Sequence, residues 1–300
     1  MTALACAVND NAVNDKISIV LLTHSRVGEL CRTLGHLLDL PEKPPIIVVD
    51  NCSIDNTAER VQAAFPTVKL ICTERNLGAA GRNLGVDFVQ TPYVAFCDDD
   101  TWWAPGALDT AVELLDRHAR LSVLNARIVV GPQQMPDPTC AAMASSPLAY
   151  HDDIGPLLAG FMAGAIVMRT EAFRKAGGYW DEFFIGGEET LLAMDILDAG
   201  GHIAYAPALV VHHWPSRLRH THQRQRLTAR NAIWTCWLRL PWSLAWQRTR
   251  FLLQQLPDRR LRRHALADAL SGVLKIVPKR RVLSKETCQL LRQVWQHDKP

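Results

Sequence analysis

Residues 93–100 read Tyr-Val-Ala-Phe-Cys-Asp-Asp-Asp. An unbroken apolar run that ends on three carboxylates describes a strand buried on both faces and stopping at a polar rim. Adjacent carboxylates repel one another strongly unless a cation is near. An oxygen-rich cluster suits Mg2+ or Mn2+, usually shared with phosphates. The same residues could serve as a solvated turn capping the next helix. Their place at a strand's carboxyl end, where ligands of open α/β sheets gather, favours the metal.

Working outward, the same grammar repeats. Apolar strands are expected over Ile17–Leu22, Ile46–Val49 and Val68–Cys72, separated by helices over Val27–Leu38, Thr57–Phe65 and Gly78–Gln90. A helix over Pro105–His118 follows the acidic run. Continuous apolar strands alternating with helices predict a mostly parallel α/β sheet covered on both faces, with right-handed crossovers. Residues Gly131–Pro156 lack periodicity and are read as a long loop or lid. Beyond it come a strand over Phe161–Arg169, helices over Glu171–Ala176 and Glu188–Ala199, and a strand over Ile203–Val211.

Polar residues cluster after these strands. Asp50, in Asp-Asn-Cys-Ser-Ile-Asp-Asn-Thr over 50–57, can accept hydrogen bonds from a base or a ribose, while Asp55 is a helix cap. Residues 76–85, Asn-Leu-Gly-Ala-Ala-Gly-Arg-Asn-Leu-Gly, open a helix with small side chains that let an anion approach the backbone. Arg82 adds a cation for a diphosphate. The glycines equally suit close helix–sheet packing. No G-x-G-x-x-G follows the first strand and no G-x-x-x-x-G-K-[ST] occurs, which disfavours a nicotinamide enzyme and a P-loop NTPase. Gly186-Gly187-Glu188-Glu189 precedes a helix, where carboxylates are ordinarily dipole or capping residues. Two together after Tyr179-Trp180-Asp181-Glu182-Phe183-Phe184 are read as a substrate-facing turn. His212-His213 ends a strand and could complete a metal site.

Charge divides the chain. Residues 1–213 hold 14 Lys and Arg against 26 Asp and Glu, whereas residues 214–300 hold 19 against 4 and carry six of the nine tryptophans. The expected organisation is a leader without order over 1–15, a catalytic domain over 16–213 and a basic helical tail over 214–300. The eight cysteines form no C-x-x-C pair, which points to reduced thiols rather than zinc. The longest apolar run, Phe161–Met168, is far below the about 20 residues that a membrane span needs. With no signal-peptide pattern at the start, a soluble cytoplasmic protein is expected. Tryptophan interleaved with arginine in the tail suits peripheral contact with an anionic membrane at the inner face. The other reading of the tail is packing onto the acidic domain. Its charge would suit nucleic acid, but no sequence-reading motif accompanies it, and no nucleic-acid partner is expected.

Taken together, the strand ending Leu22-Thr23-His24-Ser25-Arg26, the segments Val49–Thr57 and Glu74–Gly85, and Asp98-Asp99-Asp100 resemble bacterial family 2 glycosyltransferases of the GT-A fold, rhamnosyltransferase-like in pattern. Tyr179–Ala199 and Pro207–His212 are similar to that family's acidic catalytic turn and terminal histidine, so the likeness runs from Ile17 to about Trp214. The resemblance implies an inverting transferase that moves a sugar from a UDP- or dTDP-sugar to a hydroxyl of a glycan or lipid-linked acceptor. It implies donor binding by Thr23, Arg26, Asp50, Asn76, Arg82, Asp98 and Asp99. It also implies a divalent metal on Asp98, Asp100 and His212 at a D-x-D motif, and base chemistry at Glu189 or Glu188. Three departures stand out: Glu189 replaces the usual aspartate, Leu191 stands where another aspartate is common, and His24-Ser25 replaces Tyr-Asn. A sugar-1-phosphate nucleotidyltransferase would want a glycine-rich basic loop after the first strand, and Thr23–Gly28 holds one Arg and one Gly. A non-catalytic nucleotide-sugar sensor is the other alternative.

Overall fold

Strand β1 (Ile17–Thr23) lies between two parallel neighbours, which is why its residues are almost all buried. The structure, a computed structural model, describes residues 14–215 and 222–297. Of the expected leader, residues 1–13 fall outside that range. After β1 come α1 (Val27–Leu38), β2 (Ile46–Asp50), α2 (Thr57–Ala64), β3 (Lys69–Cys72), α3 (Gly81–Asp87), β4 (Tyr93–Asp98), β5 (Thr101–Trp103) and α4 (Ala107–Arg117). Then follow β6 (Leu121–Val130), β7 (Met135–Pro136), α5 (Pro138–Ala144), β8 (Tyr150–His151), β9 (Gly155–Pro156), β10 (Ile166–Arg169), α6 (Thr170–Lys175), α7 (Glu188–Asp198) and β11 (His202–His213). The basic C-terminal part is helical: α8 (His222–Arg239), α9 (Trp242–Gln255), α10 (Arg259–Ser271), α11 (Val273–Ile276) and α12 (Lys285–His297).

The main sheet runs β3-β2-β1-β4-β10-β6-β11-β5, with β7 beside β6. The half from β3 to β4 is parallel throughout. Beyond β4 the pairing mixes, because β10 is antiparallel to both β4 and β6 and β5 is antiparallel to β11, while β6 and β11 are parallel. Register delivers the motifs to one place. Thr23 lies opposite Asp50 and Leu22 opposite Asp98, so the ends of β1, β2 and β4 form a single rim.

The segment read as a loop over Gly131–Pro156 is partly ordered. Asp137 accepts the Thr139 N–H (2.9 Å) and Pro138 occupies the first turn, two local devices that start α5. Residues 161–165 are not strand as expected, because Ala163–Ala165 form a 3-10 turn that leads into β10.

Two apolar clusters support the molecule. The larger one holds the sheet and its covering helices. The smaller one joins Trp234, Trp237, Leu244 and Ala269 of the C-terminal helices to Phe183, Leu191 and Met194. Helix α7 therefore presents apolar residues to both clusters. Between them Arg239 makes a two-pronged pair with Asp195 (2.5 and 2.8 Å), and Arg281 reaches Asp195 (2.7 Å) and Asp198 (2.9 Å). Such charges, when buried, are tolerable only because each finds a fixed counterion.

Candidate active site

The rim opens into a cleft of about 580 Å3. One wall comes from the chain just after β1, β2 and β4. Asn51 organises it: its amide donates to Asn76 Oδ1 (3.0 Å) and to the Gly78 carbonyl (2.9 Å), and its oxygen accepts the Leu77 N–H (2.8 Å). Gly78 adopts φ +60°, and a Cβ there would lie 1.9 Å from the Phe184 carbonyl oxygen. Only glycine satisfies both conditions. The Ala79 N–H donates to that same carbonyl (2.6 Å), which joins this wall to the segment ahead of α7.

The acidic triad splits into three environments. Asp98 pairs with the buried Arg82. Asp99 accepts from Thr23 Oγ1 (3.1 Å) and Arg26 Nη1 (3.1 Å), and burial pushes its carboxyl up to about 7 despite Arg26. Asp100 is fully buried, 3.7 Å from Arg26 Nη1 and 3.7 Å from His213 Nε2.

The opposite wall is the start of α7. Glu189 accepts the Ala163 N–H (2.6 Å); burial, reinforced by the Glu188 charge, pushes its carboxyl up to about 7, against the pull of Arg82. Glu188 is buried and also raised, chiefly by burial, and its Oε2 has no hydrogen-bond partner among the described residues. The turn ahead of them hangs from α8. Asn231, wholly buried, donates to the carbonyls of Phe183 (2.8 Å), Ile185 (3.2 Å) and Gly186 (2.6 Å). Gly186 has φ +83°, and a Cβ there would lie 2.3 Å from Thr228 Oγ1, so the turn lies flush on α8.

The sequence profile of Glycosyl transferase family 2 matches residues 18–177. This chain belongs to that family. It is 25% identical over 238 residues to the N-acetylglucosaminyl-diphospho-decaprenol L-rhamnosyltransferase of Mycobacterium tuberculosis, a match covering 67% of this chain and 77% of that one. A mannosyltransferase from Pyrobaculum calidifontis, solved with GDP-Man and Mn2+, superposes with a TM-score of 0.59 at 17% identity over 94% of this chain and 80% of that one. GalNAc-T7, solved with UDP, GalNAc and Mn2+, gives 0.61 at 15% identity over 88% of this chain, which spans 56% of GalNAc-T7. At those identities the structural likeness establishes the GT-A fold alone. The family assignment makes the protein a glycosyltransferase.

The cleft of this glycosyltransferase gathers most residues singled out in the sequence: Thr23, Arg26, Asn76, Arg82, Asp98, Asp99, Asp100, Glu188 and Glu189 all line it. Two do not. Asp50 is buried at the carboxyl end of β2, where one carboxylate oxygen accepts the Ser53 N–H (3.0 Å) and closes the turn that follows. The histidine beside Asp100 is His213, whereas the metal ligand expected from the sequence is His212. Successive side chains of a strand point to opposite faces, and the His212 ring stacks on Trp102 (5.6 Å between centroids) instead. The pairing of β11 with β5 sets His213 opposite Thr101. Asn51, Ala163, Arg224 and Asn231 escaped notice. Asn51 stood inside a motif already singled out, whereas the other three reach the site only through tertiary contacts. Among the described residues no set of three His, Cys, Asp or Glu side chains is gathered to hold a metal unaided.

Proposed function

We propose that this glycosyltransferase inverts the anomeric centre as it moves a sugar from a UDP- or dTDP-sugar to a hydroxyl of a lipid-linked glycan. One observation carries the reading: a carboxyl raised to about 7, Glu189, faces the Arg82–Asp98 pair across a single cleft. A base is most effective when its pKa lies near the working pH. Glu189 would take the acceptor hydroxyl proton while that oxygen bonds to the anomeric carbon. The bond from that carbon to the diphosphate oxygen breaks in the same step, and Arg26 and Arg82 would meet the charge released. The acceptor class draws support from the mycobacterial relative, whose name specifies a diphospho-decaprenol substrate.

Asp100 with His213 sets a carboxylate and an imidazole at the cleft, a mixed oxygen and nitrogen set that suits Mn2+ better than the harder Mg2+. With Asp98 and Asp99 already engaged by arginines, the remaining ligands would come from diphosphate oxygens and water. A bound divalent ion supplies charge neutralisation at the diphosphate. The Mn2+ in two solved neighbours is consistent with this.

No described helix is long and apolar enough to cross a membrane. For the C-terminal helices we infer peripheral docking on anionic lipid through Trp242 and Trp246, which are 49% and 56% exposed. The decisive experiment for the catalytic reading is turnover: nucleoside diphosphate released from UDP- or dTDP-sugars, with Mn2+ and a prenyl-diphospho-sugar acceptor. Binding of the nucleotide-sugar, read as a thermal shift, with no release under any of these conditions would identify a sensor.

A further inference from the structure

Arg224, in the first turn of α8, lines the catalytic cleft and also a second cavity of about 460 Å3 formed by α8, the end of α9 and the start of α10. Ala232, Leu252, Leu256 and Leu261 make the second cavity predominantly apolar. Its volume lies within the range of about 300–1,000 Å3 usual for ligand sites. Thr228 belongs to its wall and is the residue against which Gly186 packs, so the groove and the turn that leads into Glu188 and Glu189 are two sides of one helix.

We propose that this groove holds the apolar chain of a diphosphate-linked lipid acceptor, with the diphosphate at Arg224 and the terminal sugar beside Glu189. The inference rests on the transferase reading above and assigns the acceptor's path. The order of chemistry along the surface is apolar groove, guanidinium, then carboxylate base. A lipid-linked sugar presents the same order of complementary groups: hydrocarbon, diphosphate, then hydroxyl. A guanidinium matches phosphate oxygens in both charge and fork geometry. Burying apolar chain in an open apolar groove removes hydrocarbon from water on both sides, the general source of such affinity. The excess of 19 Lys and Arg over 4 Asp and Glu in residues 214–300 draws the anionic head to this side.

The test uses the full chain, without vesicles, with UDP and Mn2+ saturating so that the donor site is filled. Calorimetric titration compares farnesyl diphosphate, inorganic diphosphate and farnesol. Farnesyl diphosphate should bind at least tenfold more tightly than inorganic diphosphate. Ala232→Phe, which fills the groove, and Leu256→Gln, which makes its rim polar, should each weaken farnesyl diphosphate about tenfold. Both variants should bind UDP as the parent does, which also certifies their fold. Arg224→Ala should weaken farnesyl diphosphate and leave farnesol unchanged. Equal affinity for farnesyl diphosphate and inorganic diphosphate, or tail-dependent binding indifferent to both groove variants, overturns the proposal. Failure of the parent protein to bind UDP would strike the transferase reading instead.

Discussion

The two walls of the cleft hold their charges by different means. On the rim of β1 and β4, Asp98 and Asp99 are each matched by an arginine, and the loop beside them is tied by the Asn51 amide. Across the cleft, no Lys or Arg of the described residues contacts Glu188 or Glu189 directly; Glu189 leans on one backbone N–H, and Asn231 fixes the turn that carries them. Pairing alone does not keep a carboxyl ionised, since burial raises Asp99 to about 7 even beside Arg26. Glu189 is raised to the same range with no arginine or lysine of the described residues on its oxygens, which leaves its proton exchange to the acceptor. On this contrast we propose donor recognition at the first wall and proton transfer at the second.

The largest expected effect lies on the second wall. Glu189→Gln should lower the transfer rate by about 10²–10⁴-fold while UDP binding by calorimetry stays at the parental value. If Glu188→Gln is the damaging change and Glu189→Gln is not, the base is the neighbour. The parent's rate should fall on the acid side with an apparent pKa near 7, as the base takes up a proton. Stability should move in the opposite sense. Because the folded pKa is raised above the ordinary glutamate value, the folded state holds a proton that the unfolded chain has lost, and this stabilisation fades as pH rises to about 7. Glu189→Gln should therefore raise Tm at pH 8 and change it little at pH 4.

On the first wall the imidazole of choice is His213. His213→Ala should weaken Mn2+-dependent UDP binding about 10–100-fold, the scale on which metal sites respond to losing a supporting group. His212→Ala, which removes a ring stacked on Trp102, should leave Mn2+ dependence intact. Titration of Mn2+ against both variants decides between neighbours that one strand turns to opposite faces. An unchanged Mn2+ requirement in His213→Ala would remove the histidine from the metal proposal.

Asn231 sharpens the comparison from outside the cleft. Asn231→Ala removes the side-chain donor from the Ile185 and Gly186 carbonyls, while the Phe183 carbonyl keeps the Ile185 N–H. Each carbonyl left unsatisfied costs on the order of 1–3 kcal/mol. The expected result is a lower urea midpoint, a reduced kcat and unaltered UDP affinity. A variant that lowers UDP affinity and kcat alike would show that the two walls are not independent.

The same contrast explains what was legible in the sequence. Strands β1, β2 and β4 were readable because each is a continuous apolar run, and their rim residues follow directly. Parallel pairing brought Thr23, Asp98 and Asp100 together as strand ends do in such sheets. The far half was harder. Antiparallel insertion of β10 leaves no local periodic signal, and β5 is only three residues long. The choice of His212 over His213 turned on strand register, which is fixed by pairing with β5 and not by residue type. Helix α5 could have been found from Asp137-Pro138, a cap followed by a proline suited to a first turn. Asn231 carries no such mark, since a buried asparagine in a helix acquires its meaning only from the carbonyls that surround it.

The smallest expected effect concerns the tryptophans of the C-terminal helices, which divide as the walls do. Trp234 and Trp237 are buried, and their indole N–H groups donate to the Ala269 carbonyl (3.0 Å) and Thr249 Oγ1 (3.0 Å), so they belong to the core. Trp242 and Trp246 stand one turn apart on α9 with their rings half in water, and Arg280 stacks on the former at 4.0 Å. Half-exposed indoles beside cations suit a lipid headgroup layer. Co-sedimentation with vesicles rich in phosphatidylglycerol should retain the parent protein at low salt and release it at high salt. Each basic residue near such a surface contributes about 1 kcal/mol, so Arg250→Ala should weaken retention roughly fivefold. Trp242→Ala with Trp246→Ala should weaken it further, with UDP binding unchanged and a Tm lowered only by the loss of the ring contacts to Arg280 and Trp237. Equal retention on neutral and anionic vesicles, or none on either, would leave these rings with no membrane role and confine the C-terminal helices to supporting the second wall.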